Sequence, residues 1–180
     1  MSDVEYLPRW FELSDGTLAC RTTIYEALKF SQTYEPFGGA STHRMMNGAA
    51  VKQTNWQRLR TTLSGSGGIP LGMVDLDYSK PLLLKCAVPR TIVRPAAGFV
   101  LATGMPLPTG RRSDGLYAPK YIQLVGGFWV DIKGGTLDVA ATRVAAIYYP
   151  QITCFAAPPK ESYAWDDDTP SSWTLDAEEI

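Results

Sequence analysis

One histidine, three cysteines and a scatter of carboxylates are the residues of this 180-residue chain with reactive chemistry to offer. A Ser-His-Asp relay needs its serine on a strained G-x-S-x-G elbow, and no serine stands in that setting, so His43 reads as an ordinary strand histidine. Structural zinc takes four nitrogen or sulfur ligands. Cys20, Cys86 and Cys154 are widely spaced, form no C-x-x-C pair and lie among apolar neighbours, which reads as buried free thiols. The run SGSGGIP invites a phosphate-loop reading, but neither the lysine nor the helix of such a loop follows it. Pro70 stands where a dinucleotide fingerprint has its third glycine, so the run reads as a turn. Asp75 and Asp77, on one side of a possible strand, are the candidate acid/base pair. Asp166, Asp167 and Asp168 lack the D-x-D-x-D-G spacing of a calcium loop and read as a solvated acidic loop. None of these patterns is a specific catalytic signal. The chain is therefore read as non-catalytic, with no catalytic residue, no cofactor and no metal.

In place of catalytic motifs there are aromatics, turns and an uneven charge. Trp10, Trp56, Trp129, Trp165, Trp173 and the Tyr148-Tyr149 pair can serve as core, as interface anchors or as sugar-stacking platforms. Net charge is −1, yet residues 1–35 sum to −3, residues 36–133 to +8 and residues 134–180 to −6. Two readings stay open. Strand pairing can bring these segments together so that the charges cancel within one molecule, or a basic face of one copy can meet an acidic face of the next, head to tail. A nucleic-acid groove fits less well, because the acidic segment would compete with phosphate for the same bases.

The elements that would position these residues are mostly strands. A chain of this length buries about 70% of its unfolded surface and needs no disulfide or metal to fold. Charged residues are 19% of the total, below the usual quarter, and 16 Gly with 13 Pro point to turns. Residues 9–13 and 17–22, split by Ser14-Asp15-Gly16, predict a hairpin, and residues 24–32 are the helix candidate. Asn47-Gly48 predicts a two-residue type I′ hairpin. From Trp56 to Leu63 the side chains alternate, with Trp56, Arg58, Arg60 and Thr62 on one face and Gln57, Leu59, Thr61 and Leu63 on the other. Residues 81–88 predict a strand buried on both faces, 121–125 and 128–132 a further pair, and 137–149 one long strand. The final segment alternates Trp173, Leu175 and Ala177 against Thr174, Asp176 and Glu178, as a half-buried closing strand does.

Between about 88 and 120, Pro89, Pro95, Pro106, Pro108 and Pro119 alternate with Gly98, Gly104, Gly110 and Gly115. That density of breakers excludes a helix or a central strand and predicts a long loop or arm reaching onto another surface. The expected architecture is a single mainly β domain over 1–180. It is a β-barrel or β-sandwich with one short helix, this arm, and an acidic C-terminal segment at about 161–180. The expected contact residues are Arg58, Arg60, Arg90, Arg94, Phe99, Leu101, Arg111 and Arg112, with Trp165 and Asp166 to Asp168 opposite them. Asp3 and Glu5 open the chain without an apolar run, and no stretch reaches the eighteen or so apolar residues of a membrane span. Cytoplasmic synthesis without membrane insertion is expected.

Two stretches carry a family resemblance. NWQRLRTTLSGSGGIPLGMVDLDYSKPLLLKC, with PR soon after, resembles a segment of small tail and baseplate proteins of long-tailed bacteriophages, in which a basic strand ending in a Ser-Gly turn precedes a Pro-containing loop and an apolar strand. The ending WTLDAEEI resembles the closing strand of phage minor tail proteins. Distal tail proteins are the nearest family. The resemblance implies a structural protein of the virion tail, assembled in the host cytoplasm. It would form a homo-oligomeric ring and contact the tail tube, tape measure and hub, without nucleic-acid specificity. The alternative, from a different class, is a carbohydrate-binding β-sandwich module using exposed Trp and Tyr.

Overall fold

A computed structural model describes residues 9–24, 29–97, 107, 110–112, 114, 117–132, 136–163 and 170–180. The protein is mainly β, with two antiparallel sheets, and the described residues include no α-helix. Neither sheet closes on itself, so of the two expected architectures the barrel is not formed. The chain divides into two compact units, residues 1–84 with 153–180, and residues 85–152.

The first unit is built on the larger sheet. Its strands are β1 (Trp10–Ser14), β2 (Ala19–Thr23), β3 (Ser31–Arg44), β4 (Ala50–Ser66), β5 (Leu82–Lys85), β10 (Gln151–Ala156) and β12 (Pro170–Glu179), in the order β2-β1-β5-β10-β12-β4-β3, with β11 (Lys160–Tyr163) also paired to β12. The expected first hairpin forms with Trp10 opposite Thr23, and its turn is held by the Asp15 carboxylate, which accepts from the Thr17 and Leu18 amides. The alternation of β4 and β12 buries Leu59, Thr61 and Leu63 and likewise Trp173, Leu175 and Ala177; Phe11, Leu13, Leu82 and Leu84 are buried too, with the Phe11 ring 6.2 Å from that of Trp173. Each fully buried Leu or Phe contributes about 1.5–3 kcal/mol by leaving water.

The second unit carries β6 (Arg90–Pro95), β7 (Lys120–Val125), β8 (Phe128–Asp131) and β9 (Arg143–Tyr148) in the order β6-β9-β7-β8. Val144 and Ala146 of β9 form its core with Ile92, Leu107, Tyr121, Ile132 and Leu137 around them.

Four local expectations are corrected. The helix expected at 24–32 is replaced at its end by β3, which already includes Ser31 and Gln32, and Lys29 has φ 43°, outside the right-handed helical region; residues 25–28 lie outside the described residues. The Asn47-Gly48 turn is not type I′. Gly48 alone has positive φ, its amide bonds Met45 O at 2.8 Å, and the Met45 amide bonds Ala49 O at 2.9 Å, which is a three-residue loop with a glycine bulge. The two-residue loop with both φ positive occurs instead at Gly126-Gly127, between Val125 and Phe128. The long strand expected at 137–149 starts only at Arg143, because the Asp138 carboxylate and carbonyl draw the Ala140 and Ala141 amides into a turn. Asp75 and Asp77 lie in turns and not on a strand.

Candidate interaction surface

The pairing of β4 has two regimes. From Arg60 to Ser64 it lies between β3 and β12, and β12 pairs on to Ser66, with Glu178 opposite Arg60 as the last pair at the other end. Below that point β12 ends, and the β4 residues 50–59 have β3 as their paired strand. The Leu59 amide, the first beyond the shared ladder, is met by the Glu179 side chain at 2.8 Å. Pro36–Arg44 and Ala50–Leu59 thus leave the sheet as a two-stranded ribbon, roughly 30 Å long at about 3.3 Å per residue. Every residue from 50 to 58 is exposed on either face of β4.

A bare two-stranded hairpin is marginal in water, and specific pairs hold this one. Trp56 lies opposite Gly39, and a Cβ at Gly39 would stand 2.5 Å from the Trp56 ring nitrogen, so the missing side chain is what lets the indole lie across the partner strand. Phe37 meets the Trp56 ring edge-on at 5.5 Å, and the Arg60 guanidinium sits 5.2 Å above Phe37. Residues 36–58 include Arg44, Lys52 and Arg58 and no acid. At the tip, Met45 is exposed and Met46 fully so, with Val51 exposed nearby.

At the foot of the ribbon a cleft of about 330 Å³ opens between aromatic walls, Phe37, Trp56 and Phe155, with Ile180 beside them. Glu178, Glu179 and Arg58 edge it. Phe155, Glu178, Arg60 and Glu35 form one row across β10, β12, β4 and β3. Arg60 bonds Glu178 through Nε at 2.8 Å and lies 3.9 Å from Glu35. Its charge is therefore met within its own chain, whereas Arg58 stands exposed at the rim and donates to the neighbouring Gln57 carbonyl at 3.4 Å.

The other expected contact residues scatter. Arg90 and Arg94 lie on β6, an edge strand, the one position in a sheet that suits a strand ending in Pro95. Arg94 and Arg143 edge an open hollow of about 500 Å³. Arg111 is exposed in an isolated bridge with Pro150. Arg112, expected on the contact surface, is 0% exposed. Its guanidinium lies 3.4 Å from the Tyr117 ring centre, donates to Cys86 O at 2.9 Å and pairs with both Asp114 oxygens. The Arg112 bonds hold the Asp114 carboxyl below the usual carboxylate range. Burial rather than partner contact explains this arginine. Phe99, Leu101, Trp165, Asp166, Asp167 and Asp168 lie outside the described residues, as does much of the expected arm.

Several of the residues singled out for chemistry have structural partners. Asp77 accepts from Ser79 and pairs with Lys80 at 2.7 Å, and those bonds lower its carboxyl to about 2, the wrong side for a general acid near neutrality. Its amide donates to Asp15, which ties two turns together. Tyr78 gives its hydroxyl to Met73 O at 2.6 Å, and burial pushes it up to about 12. His43 is exposed on β3 and shares a bond with Ser41. The three cysteines are free and buried, as expected, and burial pushes the Cys20 thiol up. Among the described residues no three His, Cys, Asp or Glu side chains gather as metal ligands.

Sequence reasoning placed a hairpin at Asn47-Gly48, which forms, but missed that it runs on beyond β12 as a ribbon. The available signal was the stretch 36–58 itself, which has no acid and no apolar periodicity. No protein-family model and no curated protein matches this chain.

Proposed function

We propose that this protein is a non-catalytic structural component of a bacteriophage tail tip or baseplate, forming a homo-oligomeric ring that joins the tail tube to the distal tail proteins. One observation carries the assembly part of this reading: a two-stranded ribbon leaves the sheet with both faces in solvent, a basic charge and an apolar tip. A free hairpin of this kind gains little by itself, whereas an extended ribbon presents side chains and open strand edges to a partner. The tail-tip part rests on the resemblance of residues 55–86 and 173–180. In that setting the partners are sibling copies and the tube, tape measure and hub proteins, in a virion tail assembled in the host cytoplasm.

The test is native mass measurement of the purified chain beside a variant whose ribbon end, residues 41–53, is replaced by a short Gly-containing turn. The parent forms a discrete oligomer that survives moderate salt, and the shortened chain keeps its β circular dichroism but not its assembly. Exposed Trp129 beside exposed Phe128 favours carbohydrate binding as the second reading. A monomer whose tryptophan emission responds to a sugar would replace assembly with that function.

A further inference from the structure

The tip and the foot of the ribbon are chemically opposite. The tip offers Arg44, Met45 and Met46, the backbone of Met45 bonds Gly48 and Ala49, and both methionine side chains are exposed. The foot offers aromatic walls, Phe37, Trp56 and Phe155, around a cleft of about 330 Å³ edged by Glu178, Glu179 and Arg58; Glu178 also pairs with Arg60, and Glu179 accepts from the Leu59 amide. Methionine is unbranched and polarizable, fills irregular hollows and makes favourable contacts between sulfur and aromatic rings. Guanidinium and carboxylate supply the polar half of the same match. A hairpin roughly 30 Å long cannot fold its tip back into a cleft at its own foot while it stays straight, so the match is met between molecules.

We infer that the tip of one copy seats in the foot cleft of the next, with the Met45 and Met46 side chains among the aromatic rings and Arg44 toward Glu178 and Glu179. The occupant is a second copy of this chain. The contact joins two different patches, so it is heterologous and propagates: it closes into a ring if the rotation per copy divides a full turn and runs on as a filament if it does not. Charge sets direction, since the tip carries Arg44 with no acid in residues 36–58, whereas the cleft edge carries the carboxylates of Glu178 and Glu179. This inference rests on the assembly reading above and specifies its contact.

Met46 and Ile180 are both exposed, and the native cysteines are buried, so each site accepts a reporter thiol without core disturbance. Met46→Cys and Ile180→Cys are prepared separately, with tags of different mass, and mixed under mild oxidation. The expected result is a disulfide-linked heterodimer from the mixture and little product from either variant alone. The triple change R44E, M45S, M46S in the otherwise native chain should lower the oligomer fraction at least tenfold with unchanged circular dichroism. An oligomer by native mass that gives no cross-link between these sites, or that links tip to tip, overturns the seating while leaving assembly intact. A parent that is monomeric at every concentration tested overturns both. Salt-sensitive binding of a DNA oligonucleotide, abolished by R44E, would assign the ribbon to nucleic acid and also overturn the seating.

Discussion

Replacing Arg112 with Met tests the largest electrostatic commitment among the described residues of the second unit. The guanidinium is fully buried, stacked 3.4 Å from the Tyr117 ring centre and bonded to the Cys86 carbonyl. Methionine roughly conserves volume but removes the donor, leaving a buried acceptor short of one bond at a cost of about 1–3 kcal/mol. Loss of a desolvated cation–π contact costs up to about 2 kcal/mol more. Relief of the desolvated charge returns part of this, since apolar replacements of buried ions are sometimes neutral. The expected net loss is about 2–3 kcal/mol, or a fall in Tm of very roughly 4–12 °C for a chain of this size. Asp114→Asn should cost less, about 1 kcal/mol, because its side chain is 43% exposed and water screens the pair. The assay is urea unfolding followed by circular dichroism, with the slope checked so that a change in midpoint reads as stability. If Arg112→Met unfolds at the parent's midpoint, or if Asp114→Asn costs more than Arg112→Met, the reasoning about burial and stacking is wrong.

Three further outcomes follow from the same geometry. Because Arg112 depresses the Asp114 carboxyl in the folded state, that contribution is fully present above the ordinary value of 3.8 and is lost as pH falls through the lowered one; below about pH 4 the parent should lose stability that Asp114→Asn never had, measured as converging urea midpoints. Gly39→Val should push the Trp56 indole off the partner strand and shift its emission to the red, seen as a difference that vanishes in a Trp56→Phe background, while the core midpoint moves by less than about 0.5 kcal/mol. The three native thiols should react with an aromatic disulfide reagent only slowly until denaturant is added, and fast labelling of even one in the native chain contradicts its burial.

The half-buried strands were legible because each writes its own burial into an alternation. Trp173, Leu175 and Ala177 face the core, as do Leu59, Thr61 and Leu63, and no knowledge of the partner strand is needed to see it. The Ser14-Asp15-Gly16 turn was legible for a similar local reason, since a short carboxylate can bond the amides just after it. Asn47-Gly48 misled because the dipeptide suits more than one loop. Positive φ at Gly48 alone, with Asn47 Oδ1 taking the Ala49 amide, satisfies the same residues in a three-residue loop.

What only the tertiary structure decided is where partners stop. β4 runs as one strand from Ala50 to Ser66, through the Ser64-Gly65-Ser66 stretch expected to be a turn, and nothing in its composition marks Arg60 as the last residue shared with β12. Where that shared pairing stops depends on residues more than a hundred positions away in the chain. The same holds for charge. Arg58, Arg60 and Arg112 are alike in sequence, yet one stands at a cleft rim, one is paired across strands and one is enclosed beneath a tyrosine. Local pattern reports which face of a strand avoids water; which neighbour covers that face, and for how long, is a property of the assembled sheet.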